Sequence, residues 1–184
     1  AYNSLPSHDF GLDPKNSTDT KALALGKQEW DDSTNSLSAD VLSKLQEQVQ
    51  SLCPIQFRKI VERIVFMNLM PESSSLGWHK AGSYLLDVAS GLASIRINLV
   101  PFKDKPEQIL GVIVHEIGHA GHDSFPVFLL KIWNDAIEQE RSLDVTPYVA
   151  KVRKNKPDHF DAEDFAESFR LFCLEPDHLQ SLSP

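Results

Sequence analysis

Apolar residues recur at helical spacing from residue 37 onward. Leu42, Leu45, Val49 and Leu52 fall on one stripe behind Ser38, a suitable N-cap, and Asp40 favours the first turn. Pro54 suits the first turn of a second helix, in which Phe57, Ile60, Val61 and Ile64 continue the period. Residues 65–69 then read as a short strand closed by Pro71, followed by a loop of serines and Gly77. Two further strands are predicted over 83–88 and 93–100. In the second, Ile95, Ile97 and Leu99 alternate with Arg96 and Asn98, and Ser90-Gly91 supplies a hairpin turn. Helical spacing returns downstream. Pro106 opens a helix through Ile109, Val112 and Ile113 to beyond His119, and Pro126 opens another along Phe128, Leu129, Ile132, Trp133 and Ile137. Asp161 caps a last helix carrying Phe165, Phe169 and Phe172. Strands first and helices after predict a small α+β domain with a short antiparallel or mixed sheet.

Residues 1–36 sustain neither period. They are rich in Ser, Thr, Asn, Asp, Pro and Gly, and they read as a tail or linker joining the domain, residues 37–184, to a larger polypeptide. The alternative is an ordered arm packed by Tyr2, Phe10, Leu23, Leu25 and Trp30.

Composition narrows the function. With 184 residues, 41% hydrophobic and 24% charged, the chain has the makeup of an ordinary globular domain. A net charge of -8 argues against a general nucleic-acid binder. The longest apolar stretch, residues 109–114, is too short to span a bilayer, so no membrane insertion is expected. The chain opens without a charged n-region and apolar h-region. Cys53 and Cys173 could pair or stay reduced.

The chemistry lies in His115-Glu116-Ile117-Gly118-His119. Histidines four apart on a helix sit one turn above each other, so both imidazoles can reach one zinc ion. Glu116 lies about 100° around the helix, where its carboxylate can take a proton from a zinc-bound water. Leu110, Val114 and Ile117 anchor the opposite side. Catalytic zinc usually has three protein ligands. Glu163 and Glu167 are again four apart on a helix, on a face the phenylalanines leave open. One can ligate while the other accepts a hydrogen bond from a ligand imidazole and fixes its tautomer. His122 follows His119 by three, the wrong spacing for a metzincin, and it reads as decorating the helix end. His159 has no assigned role; His8, His79 and His178 read as surface histidines.

The histidine motif followed by Glu163-Asp164-Phe165-Ala166-Glu167 resembles the gluzincin peptidases related to the anthrax lethal factor catalytic domain and the Pro-Pro endopeptidases. The likeness covers roughly residues 82–172 and is specific in the two motif helices. It implies a zincin-like fold, one zinc per chain on His115, His119 and Glu163, and Glu167 as the carboxylate behind a ligand. That family also places a tyrosine seven residues before the ligand glutamate, where this chain has Lys156. Thr146-Pro147-Tyr148-Val149-Ala150 resembles the segment around that tyrosine, so Tyr148 takes the role if eight residues are inserted near 151–158. The basic inserted run then reads as a solvated loop.

The resemblance further implies an extended peptide bound along a sheet edge, with residues 81–85 as the candidate edge. The expectation is a zinc-dependent endopeptidase acting on peptide or protein substrates, with Glu116 as base and Tyr148 steadying the oxyanion. Such enzymes are often secreted. Competing readings are a zinc-containing binding or toxin module that cuts nothing, and a zinc hydrolase of non-peptide substrates. The intact Glu116 weighs against the binding module.

Overall fold

The computed structural model describes residues 28–32, 34–68, 81–139 and 144–182. The order is β1 (Glu29–Asp31), α1 (Ala39–Leu52), α2 (Ile55–Arg58), β2 (Val61–Met67), β3 (Gly82–Asp87), β4 (Leu92–Asn98), α3 (Ile109–Ser124), α4 (Val127–Gln139), α5 (Pro147–Asn155), α6 (Phe160–Leu174) and α7 (Pro176–Ser181). This is the expected α+β class, with a small mixed sheet. Its strand order is β1-β2-β4-β3, parallel between β1 and β2 and between β2 and β4, antiparallel between β4 and β3.

Local signals explain several elements. Ser38 caps α1, its hydroxyl accepting the Val41 N–H at 3.3 Å, and α1 buries Leu45 and Val49. The β3–β4 hairpin turns through Gly91, whose φ of 69° favours glycine. Thr146 caps α5 in the same way as Ser38 caps α1, with Pro147 in its first turn.

Asp161, expected as an N-cap, lies instead in the first turn of α6, which α7 follows, and three further expectations need correction. The second helix is one turn long and ends at Arg58, because Val61 and Ile64 belong to β2, with Phe66 beyond them. Phe57, Ile60, Val61 and Ile64 match a helical stripe only by spacing. Strand pairing on both sides of β2 decides the outcome, and Ile64 and Phe66 end fully buried in the sheet. Second, the expected boundary at residue 36 falls inside the folded unit. Residues 29–31 form β1, and Trp30 stacks on Phe66 with ring centroids 6.1 Å apart. The rest of the expected tail, residues 1–27, lies outside the described residues, as do the loop at Ser73–Ser75 and His8 and His79. Third, most of the basic run is not a loop. Lys151, Arg153 and Lys154 lie in α5, and Arg153 pairs with Asp144 at 3.0 Å and sits 4.3 Å over the Phe160 ring.

Helix α3 lies between the sheet and α6. Ile113, Val114 and Ile117 are fully buried, sharing one core with Ile64, Phe66, Ile95 and Ile97 of the sheet and with Phe165 and Phe169 of α6. A helix covered on both sides holds its side chains in fixed rotamers, which is what a ligand platform requires. Cys53, at the end of α1, and Cys173 of α6 are free thiols buried against each other. Among the described residues, no helix is long and apolar enough to cross a membrane.

Candidate metal centre

Helix α3 carries His115 and His119 toward α6, which carries Glu163 and Glu167 toward α3. Close approach of the two backbones makes the meeting possible. Gly118 faces Ala166, and a Cβ at Gly118 would lie only 2.9 Å from the Ala166 Cα. Glycine at this position therefore sets the helix separation.

Three atoms converge there. His115 Nε2 lies 3.1 Å from His119 Nε2 and 3.2 Å from Glu163 Oε2, and His119 Nε2 lies 3.4 Å from the same oxygen. Four-coordinate zinc, with bonds near 2.0–2.1 Å to nitrogen and oxygen, spaces its donors about 3.3 Å apart. The triangle has that size. Two neutral imidazole nitrogens and one carboxylate are also the donor types zinc takes at catalytic sites. The residues present thus fit a zinc ion, which His115, His119 and Glu163 would hold with three protein donors.

Supporting contacts orient each donor. Glu167 Oε2 accepts from His115 Nδ1 at 3.1 Å, so that a metal ion held in the triangle would meet the Nε2 lone pair. Arg170 in turn forks onto Glu167, Nε to Oε2 at 3.1 Å and Nη2 to Oε1 at 3.0 Å. Tyr84 of β3 stacks on the His119 ring at 5.5 Å and 11°, and its hydroxyl donates to Asp123. Burial and the Asp123 carboxylate push the Tyr84 phenol well above its usual range.

Burial opposes ionisation of Glu163 and Glu167, but the His115 ring outweighs it: burial lowers its pKa, the two carboxylates raise it to about 9, and protonated on both nitrogens it donates to both. Glu163 is held far below the usual carboxylate range, helped by His119, and Glu167 is brought down to about 2, helped by Arg170. Both carboxylates are charged at neutral pH.

Glu116 is 7% exposed and lies against β3. A Cβ at Gly82 would fall 2.6 Å from its Oε1 and 2.7 Å from Val112 Cγ1, so the β3 backbone runs directly over this carboxylate. Tyr148 reaches the site from α5. Its hydroxyl donates to Glu163 Oε2 at 2.9 Å and its ring meets His115 edge-on at 5.9 Å. Burial and the Glu163 charge raise its pKa, so the phenol stays a donor. Tyr148, eight residues farther back in sequence than the resemblance would place it, thus lies beside Glu163.

The structure thus gathers His115, Glu116, His119, Tyr148, Glu163 and Glu167 in one place. The other described histidines stand apart from the donor triangle. His122 is near Asp123 and Phe165, His159 lies in the turn before α6, and His178 lies on α7. Sequence reasoning missed Arg170, the tight fit at Gly82 and Gly118, and the Tyr84–Asp123 support. Arg170 stands three residues after Glu167, an i,i+3 pairing that could have pointed to it. The candidate edge strand proves to be the last strand of the sheet, beside the site. Comparison with protein-family models, curated proteins and solved structures returns no match for this chain.

Proposed function

We propose that the protein is a zinc-dependent endopeptidase of gluzincin type. The observation that carries the reading is the donor triangle of His115, His119 and Glu163, with separations of 3.1–3.4 Å, beside the buried carboxylate of Glu116. A zinc ion bound there would polarise the scissile carbonyl and acidify water at the open position.

The chain's own residues supply the rest. Glu116 accepts the attacking water's proton and delivers it to the leaving amine. Tyr148, a protonated phenol, turns its hydroxyl from Glu163 toward the oxygen on which negative charge develops. An extended peptide pairs with the outer side of β3 through backbone hydrogen bonds, and β3 runs over Glu116. A site that only stored or structurally used a metal would close its fourth position with protein and would not need a base beside it. Both features favour hydrolysis over a silent binding module.

The test is incubation with a peptide library, with and without chelator. Zinc-loaded protein is expected to cleave peptides and chelated protein to leave them intact. Purified protein should carry about one zinc per chain, lost in His115→Ala, His119→Ala and Glu163→Ala. Glu116→Gln should keep zinc and lose nearly all hydrolysis, because the amide accepts no proton at neutral pH. Zinc-loaded protein that cuts no peptide but hydrolyses esters or amides of other kinds overturns the peptidase reading.

A further inference from the structure

Resting on the metal-site reading above, we propose that Arg170 is a positioning residue for the metal centre: its guanidinium fork locks the Glu167 carboxylate, and through it the His115 imidazole, in the ligating orientation.

The argument starts with what Glu167 must do. Its Oε2 receives His115 Nδ1 at 3.1 Å, a bond that restrains rotation of the ring about its Cβ–Cγ axis. A ring rotation of some tens of degrees would swing Nε2 out of the triangle, so the bond matters only if the carboxylate itself is fixed. A glutamate has three side-chain torsions, and one bond to an imidazole constrains few of them. Arg170 supplies the missing constraints. Its Nε and Nη2 take both carboxylate oxygens, at 3.1 and 3.0 Å, which fixes the carboxylate plane as well as its position. Guanidinium is the side chain with that fork geometry; an ammonium is a point charge.

Arg170 is anchored in its turn. Its Nη1 donates to Glu175 at 2.8 Å, at the junction between α6 and α7. The result is a relay of His115, Glu167, Arg170 and Glu175, each link 2.8–3.1 Å long. Charge makes the same demand. Glu116, Glu163 and Glu167 crowd three carboxylates into this region, and Glu167 is nine-tenths buried. A buried charge of that kind is kept only when it is paired and hydrogen-bonded.

The fork, rather than the charge alone, is the content of the inference, and two substitutions separate them. Arg170→Gln removes both, and Arg170→Lys keeps the charge alone. Zinc affinity is read by competition with a chromogenic chelator, and ligand geometry by the visible spectrum of the cobalt(II)-loaded protein. Circular dichroism and melting of the chelated protein report folding. Arg170→Gln should weaken zinc binding about 10–100-fold, the range for losing support behind a ligand, and alter the cobalt bands. Arg170→Lys should recover only part of the affinity and leave the bands shifted. Glu175→Gln, which loosens the anchor and keeps the fork, should cost a few-fold at most.

Should Arg170→Gln not fold, Arg170→Lys decides alone: native affinity and native cobalt bands in a folded Arg170→Lys overturn the fork. Unchanged zinc affinity in a folded Arg170→Gln overturns the inference while the metal site stands. Wild-type protein that takes up neither ion overturns the metal reading and this inference together.

Discussion

Replacing Gly118 by alanine tests whether the separation of α3 and α6 sets the metal site. The new Cβ would lie 2.9 Å from the Ala166 Cα, 3.2 Å from its carbonyl oxygen and 3.3 Å from its Cβ. Carbon atoms settle near 3.5–4.0 Å, so the closest contact is short by about 0.6–1.1 Å. Two of these three atoms are backbone and cannot rotate aside, so the helices must separate. His115 is on α3 and Glu163 on α6, with donor atoms 3.2 Å apart. A rigid displacement would carry them toward about 4 Å, whereas metal–ligand bonds tolerate about 0.2 Å. Zinc affinity should therefore fall at least about 10-fold, the lower end for disturbing a ligand's support.

Stability makes a second readout. Alanine gains roughly 0.8–1.0 kcal/mol over glycine inside a helix, and overpacking costs roughly 1–3 kcal/mol. The chelated variant should lose about 1 kcal/mol net, a shift of about 2–4 °C in Tm for a chain of this size. Chelator competition and denaturant melts measure the two effects. Gly111→Ala is the control, because the nearest atom to its Cβ is Arg170 Cδ at an ordinary 3.8 Å. That variant should bind zinc normally and gain up to about 1 kcal/mol. A Gly118→Ala protein that is more stable than wild type and binds zinc as tightly would refute the reasoning.

Three other changes probe separate parts of the scheme. Gly82→Ala places a methyl 2.6 Å from Glu116 Oε1 and should cut peptide hydrolysis at least about 10-fold by displacing the base, with zinc content unchanged; normal turnover would show that Glu116 has room to move. Tyr148→Phe should retain zinc and lower turnover about 10²–10³-fold, the scale for one oxyanion donor, with little change in Michaelis constant. An unaffected rate would confine Tyr148 to packing on Glu163 and His115. Phe66→Ala, at a fully buried site in the sheet, should cost about 3–5 kcal/mol in denaturant melts, and a cost below 1 kcal/mol would mean that β2 is not central to the core.

Legibility followed the length of each pattern. Helix α1, with its serine cap and four-residue stripe, and helix α3, with its ligand pair, were readable because each repeats its signal over several turns. The hairpin was readable from Ser90-Gly91 and the alternation that follows it. Strand β2 was misread at its start, because Ile60, Val61 and Ile64 satisfy a helical spacing as well as a buried strand, and only pairing with β1 and β4 separates the two. Strand β1 is three residues long, too short to show any period. At the site, residue types pointed to the proposed ligands, but which residues hold them depended on contacts between elements. Arg170 and Glu175 form hydrogen bonds whose purpose emerges only once His115 lies across from Glu167. Gly118 drew no role from the sequence; its meaning depends on Ala166, 48 residues away in sequence and in van der Waals contact in space.

Strand β1 has a consequence for how the protein behaves in solution. Without it, β2 would present a bare row of N–H and C=O groups flanked by Ile64 and Phe66, a template on which other chains could pair and aggregate. Three residues suffice to occupy part of that row, and they make a poor template themselves. Glu29 and Asp31 carry like charges, bound from inside the sheet by Arg63 at 3.3 and 2.7 Å, and an approaching strand would have to displace or repeat that arrangement. Trimming the chain past residue 31 would therefore leave every proposed ligand in place and still bare a sheet edge on which chains can pair with one another.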